Sequence, residues 1–365
     1  MLKQISLLIL CAVAIVLFAT PVQACTSAVV AGKVTLDGRP LLWKNRDTDF
    51  MRNHVDYVKG ERYDFIAVVN SANAYLKEAW MGTNSAGFAL MNTQSYNLVD
   101  VKGDEERGAA NGRVIYRALE VCATVEDFCH FLDTISKPSD IEANFGVIDA
   151  QGGAAMFEVD YYKYVMYDAN NPKDAPYGYI ARTNFSFAGK VNEGAGYVRY
   201  MEADQVLMKA SATGNITPQF IFNDLSRSFR NRMLDIDLRS GGYNRPQASG
   251  WFIDQDFIPR SSTSCSVVVQ GVKPGVKAEL TTMWTLLGYP PTGIAVPLWV
   301  KDAGKLLPGM VRFNKEHEAA LLSDWSLRLA DRVFSYKQGM GTGRYLNWER
   351  LYSPGTVSYT HLRAH

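Results

Sequence analysis

Short runs rich in β-branched and aromatic residues alternate with helical periodicities along the chain, without repeats or low-complexity linkers. Residues 26–32 and 41–44 predict two strands joined through Asp37-Gly38, a dipeptide that suits a tight hairpin turn. Phe65–Val69 and Phe88–Asn92 predict further strands on either side of the polar turn Gly82-Thr83-Asn84-Ser85. Helical spacing covers Arg113–Val121, and Thr124, three residues before Asp127, marks the N-cap of a helix over Val125–Ile135. Strands follow at Phe145–Asp149, Ala154–Val159, Tyr162–Tyr167 and Tyr179–Asn184, then helices at Val198–Lys209 and Thr217–Ser228. Cys265–Gln270, Ala278–Met283 and Gly293–Val300 complete the strands, and Lys315–Phe334 reads as the longest amphipathic helix. Many antiparallel hairpins with helices in pairs predict an α+β fold, two sheets packed face to face and covered by helices. No internal linker divides residues 25–355, so a single domain is expected.

The two ends break this pattern. Lys3 precedes a largely apolar run from Ile5 to Ala19, and Val22 and Ala24 are the small residues that signal peptidase reads at −3 and −1. Residues 1–24 are therefore expected to be a secretory signal peptide, and the protein to be periplasmic or extracellular. Residues 356–365 continue no pattern and are set apart as a doubtful, non-native tail. Loss of Lys3 with the signal leaves 37 basic against 37 acidic residues. With zero net charge and no basic cluster, the chain has no footprint for nucleic acid or an anionic membrane. No later segment approaches the ~20 apolar residues of a membrane helix. A homo-oligomer is left open.

The cut after Ala24 changes the chemistry of the next residue. Cys25 would carry both a thiol and a free α-amino group whose reference pKa lies near 8, close enough to neutrality to serve as its own general base. His54, His130 and His317 carry no local signature, which favours the amine over an imidazole as the base. Cys122, Cys129 and Cys265 lack the spaced partners of a zinc site, and no metal is expected; pairing of Cys122 with Cys129 is left open. Two other readings of Cys25 stand beside the nucleophile. One is a lipidated first residue of an exported lipoprotein or binding module, and the other is an inert buried thiol. Gln23, and the strand that begins at Thr26, weigh against a lipid tether.

Beyond Cys25 the motifs are ordered along the chain. Cys25-Thr26-Ser27, a hairpin and then Lys44-Asn45-Arg46-Asp47 resembles the start of the linear-amide hydrolases of the N-terminal nucleophile superfamily. That group includes choloylglycine hydrolases, penicillin V acylases and isopenicillin N acyltransferases. Gly82-Thr83-Asn84-Ser85-Ala86-Gly87-Phe88-Ala89 running to Asn92 is similar to the family's G-x-N-x-x-G-φ-A segment, and Thr183-Asn184 to its Thr-Asn pair. Tyr197-Val198-Arg199-Tyr200 resembles the segment bearing the family's site arginine. The likeness spans residues 25 to about 210.

The resemblance implies a four-layer αββα sandwich with Cys25 at the end of a central strand. It also implies an amidase that cleaves a small-molecule N-acyl amide through a thioester on Cys25, with no cofactor. Asp47 and Arg199 would hold the amine and the carbonyl region, and Asn184, with Asn92 or a backbone N–H, the oxyanion. Lys44 stands where bile salt hydrolases and penicillin V acylases have arginine, and it lacks the planar fork. Arg46 is a second basic candidate for substrate, expected to turn to the opposite face of the strand. An acyltransferase or dipeptidase of the same superfamily is the alternative.

Overall fold

The computed structural model describes residues 24–99, 108–240, 250–337 and 344–351. The expected signal peptide, apart from Ala24, and the tail at 356–365 lie outside the described residues. In chain order the main strands are β1 (Thr26–Val30), β2 (Leu41–Asp47), β3 (Asn53–Val58), β4 (Phe65–Asn70), β5 (Met81–Asn84), β6 (Ala89–Gln94), β7 (Ala143–Ile148), β8 (Ala154–Val159), β9 (Tyr164–Asp168), β10 (Tyr179–Arg182), β11 (Thr263–Gln270), β12 (Thr282–Leu287) and β13 (Ala295–Leu298). The principal helices are α1 (Asn111–Val121), α2 (Val125–Thr134), α3 (Tyr197–Ser211) and α4 (Leu321–Val333).

Two large antiparallel sheets result. β3 to β9 form a seven-stranded meander in chain order, as local hairpin connections favour. The other sheet runs β10-β1-β2-β11-β12-β13, which buries β1 and β2 at its centre. Alternation along each strand sorts the core into layers. Val29 and Leu42 pack between the sheets against Val55, Ile66 and Val68. Ala28, Val30, Leu41 and Trp43, on the other face, pack against Ala203 and Leu207 of α3. Phe65, Leu90 and Phe145 turn away from that middle layer to meet Ile115, Leu119 and Phe128 of α1 and α2. The order helix, sheet, sheet, helix is the αββα sandwich expected.

Several boundaries differ from the expectation for identifiable reasons. β2 runs on through Asp47, because Asn45, Arg46 and Asp47 each find a ladder partner on β11. β3 escaped notice since His54 and Asp56 break its apolar run, yet it pairs fully with β4. Lys315–Phe334 is helical only from Leu321; Asn314 bridges Ala319, and Glu318 adopts a left-handed φ of 51°. At 15 residues α3 is longer than α4. Residues 217–228 form a Pro-initiated turn and a single π-helical turn in place of a regular helix, and Ala278–Leu280 is a 3₁₀ turn before β12. The cap at Thr124 is as expected: its hydroxyl accepts from the Asp127 amide, and Asp127 returns the bond. Cys122 and Cys129 are both unbridged.

The middle layer is tight enough to test. A Cβ on Gly146 of β7 would fall 2.3 Å from Met91, 2.8 Å from Leu42 and 2.9 Å from Val29. Gly146→Ala is therefore expected to destabilise by about 1–3 kcal/mol through overpacking. Urea unfolding should show a lower midpoint at unchanged slope, whereas an unshifted midpoint would mean that the sheets part freely.

Candidate active site

Cys25 precedes β1 and is 5% exposed, with Ala24 buried behind it. Every polar part of the residue is engaged by another element. Its backbone N–H donates to Asn184 Oδ1 at 2.9 Å, and its thiol lies 3.8 Å from the Asp47 carbonyl oxygen. Its own carbonyl accepts from Arg199 Nη1 at 2.6 Å, and the same nitrogen reaches the Thr26 hydroxyl at 2.8 Å. Arg199 Nη2 then closes the ring on Asn184 Oδ1 at 2.9 Å. Arg199, in the first turn of α3, is buried, and burial lowers its pKa to about 10, which leaves it charged at neutral pH. Gly196 makes the approach feasible: it has φ +86°, and a Cβ there would sit 2.3 Å from the guanidinium. Asn184 Nδ2 donates to the Gln94 carbonyl at 2.8 Å, which fixes the orientation of the amide.

Asp47 faces a different partner from the one expected. Its carboxylate takes Arg260 Nε at 3.0 Å and Nη2 at 2.8 Å on one oxygen, and the Thr263 hydroxyl at 2.5 Å on the other. Arg260 Nη2 also points at the Ala24 carbonyl, 3.4 Å away. Arg260 and Thr263 were not foreseen. No local pattern marks either residue; it is the strand pairing in the folded protein that sets Thr263 opposite Asp47. Tyr96, half-buried, was not singled out either; burial raises its hydroxyl pKa.

Lys44 and Arg46 both project into the layer between the sheets, on the face that carries Leu42. Arg46 thus does not turn away from Lys44 as anticipated, because residues two apart on a strand share a face. Lys44 Nζ donates to Asn92 Oδ1 at 2.9 Å and to the Trp80 carbonyl at 3.1 Å. This occupies the Asn92 side-chain oxygen. Arg46 Nη1 donates to Asn53 Oδ1 at 2.6 Å, and its guanidinium lies over Trp80 at 4.4 Å. Burial lowers Lys44 to about 8 and Arg46 to about 10. Cys265, on the same face, is pushed up by burial.

Two motif residues serve the scaffold. Asn45 faces the helix side, where it exchanges hydrogen bonds with Ser226 at 2.9 and 2.8 Å. Asn84 donates to the carbonyls of Leu119 and Cys122 at the end of α1, and accepts from the amides of Ala86 and Phe88. His54 and His317 are bonded to Ser71 and Asp324, while His130 is exposed.

Residues 35–219, just over half of the chain, match the family model described as acyl-coenzyme A:6-aminopenicillanic acid acyl-transferase. The chain belongs to this family. Membership places it among the N-terminal nucleophile amide hydrolases and acyl-transferases that its motifs resemble. The matched span of this acyl-transferase family member takes in Lys44–Asp47, Asn92, Asn184 and Arg199, while Cys25 and Arg260 lie outside it. No curated protein matches the sequence.

Among solved structures, the chain is similar to a variant of conjugated bile acid hydrolase from Clostridium perfringens, with 11% identity and a TM-score of 0.43 over 76% of this chain and 93% of that one. Penicillin V acylase from Agrobacterium tumefaciens has 17% identity and a TM-score of 0.41 over 76% and 86%. A Caenorhabditis elegans ortholog of N-acylethanolamine-hydrolyzing acid amidase has 16% identity and a TM-score of 0.36 over 55% and 89%. The layer order rests on the strand pairing and core clusters described above.

Lys44 yields a prediction with a definite sign. Its pKa falls from 10.5 unfolded to about 8 folded, so the unfolded chain binds more protons between those values. Stability contributed by this residue should therefore rise as pH increases from about 8 towards 10.5. Urea unfolding of wild type and Lys44→Met across pH 7–10.5 should show wild type gaining on the variant over that window. Parallel curves would show that Lys44 is not held as a desolvated cation.

Proposed function

We propose that this protein is an exported amidase in which Cys25, freed by cleavage after Ala24, is the nucleophile. The observation that carries the reading is the capture of Cys25 on three sides: amide by Asn184, carbonyl by Arg199, thiol beside the Asp47 backbone. An inert thiol has no need of a buried arginine and a buried asparagine arranged around its main chain.

Cleavage converts the Cys25 amide into an amine, and Asn184 Oδ1 then holds one of its hydrogens and directs its lone pair. The amine takes the thiol proton, directly or through water, as sulfur attacks the substrate carbonyl carbon. Asn184 Nδ2 is the donor we assign to the resulting oxyanion, an interaction worth about 3–4 kcal/mol in comparable sites. Collapse breaks the C–N bond, and the amine's proton leaves with the nitrogen. Water then attacks the thioester, returning a carboxylic acid and the free thiol. Arg260 and Thr263 hold Asp47, whose backbone in turn positions the sulfur. Lys44 and Arg46 face the substrate side. The family's acyl-transferase description supports a second outcome, in which an amine replaces water in the last step.

N-terminal sequencing of the secreted protein should begin at Cys25, and a start elsewhere would sink the proposal. Mature Cys25→Ala should lose amide hydrolysis altogether while unfolding near the wild-type midpoint. Arg199→Ala should lower kcat by about a hundredfold or more, since it leaves Asn184 and the Cys25 carbonyl without their shared donor. Retention of near-wild-type kcat in Arg199→Ala would refute the geometry. Adding a free amine to the assay separates the two outcomes: product partitioning to a new amide marks acyl transfer.

A further inference from the structure

We infer that the Arg46 guanidinium forms an anion subsite that takes a substrate carboxylate carried within a few bonds of the scissile amide. The inference rests on Cys25 being the nucleophile and goes on to name a chemical class of substrate.

Strand register puts Arg46 beside the reacting sulfur. Thr26 pairs with Asn45, so one further step sets Cys25 opposite Arg46, and Arg46 pairs on its other side with Cys265. The three form one row across the sheet. Cross-strand neighbours of this kind hold their Cβ atoms about 4.5–5.5 Å apart. Cys25 and Cys265, two strands apart at about 4.8 Å per strand, are too distant to bridge, and what stands between them is a cation.

That cation is incompletely used. Arg46 is 2% exposed; Asn53 holds Nη1 and Trp80 lies against its face, which fixes the guanidinium plane. Its Nη2 is buried with no hydrogen-bond partner. Among the described residues neither Arg46 nor Lys44, two positions along the same face, is ion-paired with a carboxylate. By contrast Arg260 has Asp47, and Arg199 has three acceptors. A buried guanidinium edge left open is costly, and a carboxylate is the group whose geometry and charge answer it. The thioester formed on Cys25 is neutral, so the charge at Arg46 stays available through the reaction. Ala24 is itself buried beside Cys25. Cleavage after Ala24 removes this buried residue from beside Cys25.

The test compares matched substrates that differ only in charge. N-hexanoylglycine against N-hexanoylglycinamide places the carboxylate on the amine side; N-butylsuccinamic acid against N-butylsuccinamide places it on the acyl side. In at least one pair the mature wild type should prefer the carboxylate in kcat/KM by about a hundredfold, as expected for a buried charge pair. Arg46→Met should collapse that ratio to near one, and Arg46→Lys should retain part of it. Wild-type ratios near one in both pairs, or equal losses on acid and amide in Arg46→Met, would overturn the subsite. Calorimetric binding of the same four compounds to Cys25→Ala is read independently of turnover. Carboxylate binding that requires Arg46, in a protein whose wild type hydrolyses nothing, would support the subsite while defeating the amidase. Binding indifferent to both charge and Arg46 would overturn the subsite whatever the turnover.

Discussion

The buried guanidinium of Arg199 is the point on which the site depends. It joins the start of β1, the segment after β10 and the first turn of α3 through the Cys25 carbonyl, the Thr26 hydroxyl and Asn184. None of these acceptors carries a formal charge; burial and the neighbouring Arg260 depress the pKa of Arg199, while the carboxylates of Asp47 and Asp256 act in the opposite sense. Loss of one acceptor would leave part of a buried guanidinium unpaired, which costs more than the net gain from a single hydrogen bond. The first residues of the domain are thereby fixed with little freedom. On the proposed reading Cys25 is a nucleophile at a chain terminus, and it needs that restraint because termini otherwise fray.

Much of this arrangement was legible in the sequence, and the reason is periodicity. Strands such as β7, β8 and β11 announce themselves by β-branched and aromatic runs, and Thr124 with Asp127 gave a helix start to the residue. The ordered motifs brought Cys25, Asn184 and Arg199 together before any geometry was known. What stayed hidden was long-range register. Arg260 sits in a turn with no local pattern, and its partnership with Asp47 spans 213 positions of sequence. The side on which Arg46 projects was misjudged, although alternation along β2 contained the answer. Asn53, its partner, lies on a strand whose polar residues obscured it.

The shared motifs also divide by physical role in a way that letters alone do not show. The Asn of the Gly82–Gly87 segment ties the end of α1 to the β5–β6 turn, and Gly87, with φ +78°, makes that turn feasible. Asn45 performs the same service between β2 and Ser226. Both are buried amides with several partners, the kind of network that fixes one packing arrangement when fully satisfied. Their presence in a motif reflects the packing of the sandwich.

β2 therefore acts as a partition. Its odd-numbered positions, Trp43, Asn45 and Asp47, face α3 and the Arg260 turn, and their polar groups are bonded into the scaffold. Its even-numbered positions, Leu42, Lys44 and Arg46, face the layer between the sheets, where apolar packing gives way to two cations within four residues. Charge on the first side is closed, with Asp47 meeting Arg260. On the second side it is open, and desolvation lowers the pKa of both cations. Glu78 and Asp47 act on these cations only at a distance, without a direct ion pair, and a fold with stability as its sole requirement gains little from two such charges in that layer, since apolar residues of similar size would pack there at lower cost. Arg46 lies in the row next to Cys25 and Lys44 two positions further along the same face, so on the proposed reading the excess charge is a property of the site: one face of the strand would hold the nucleophile in place, and the other would receive an anion.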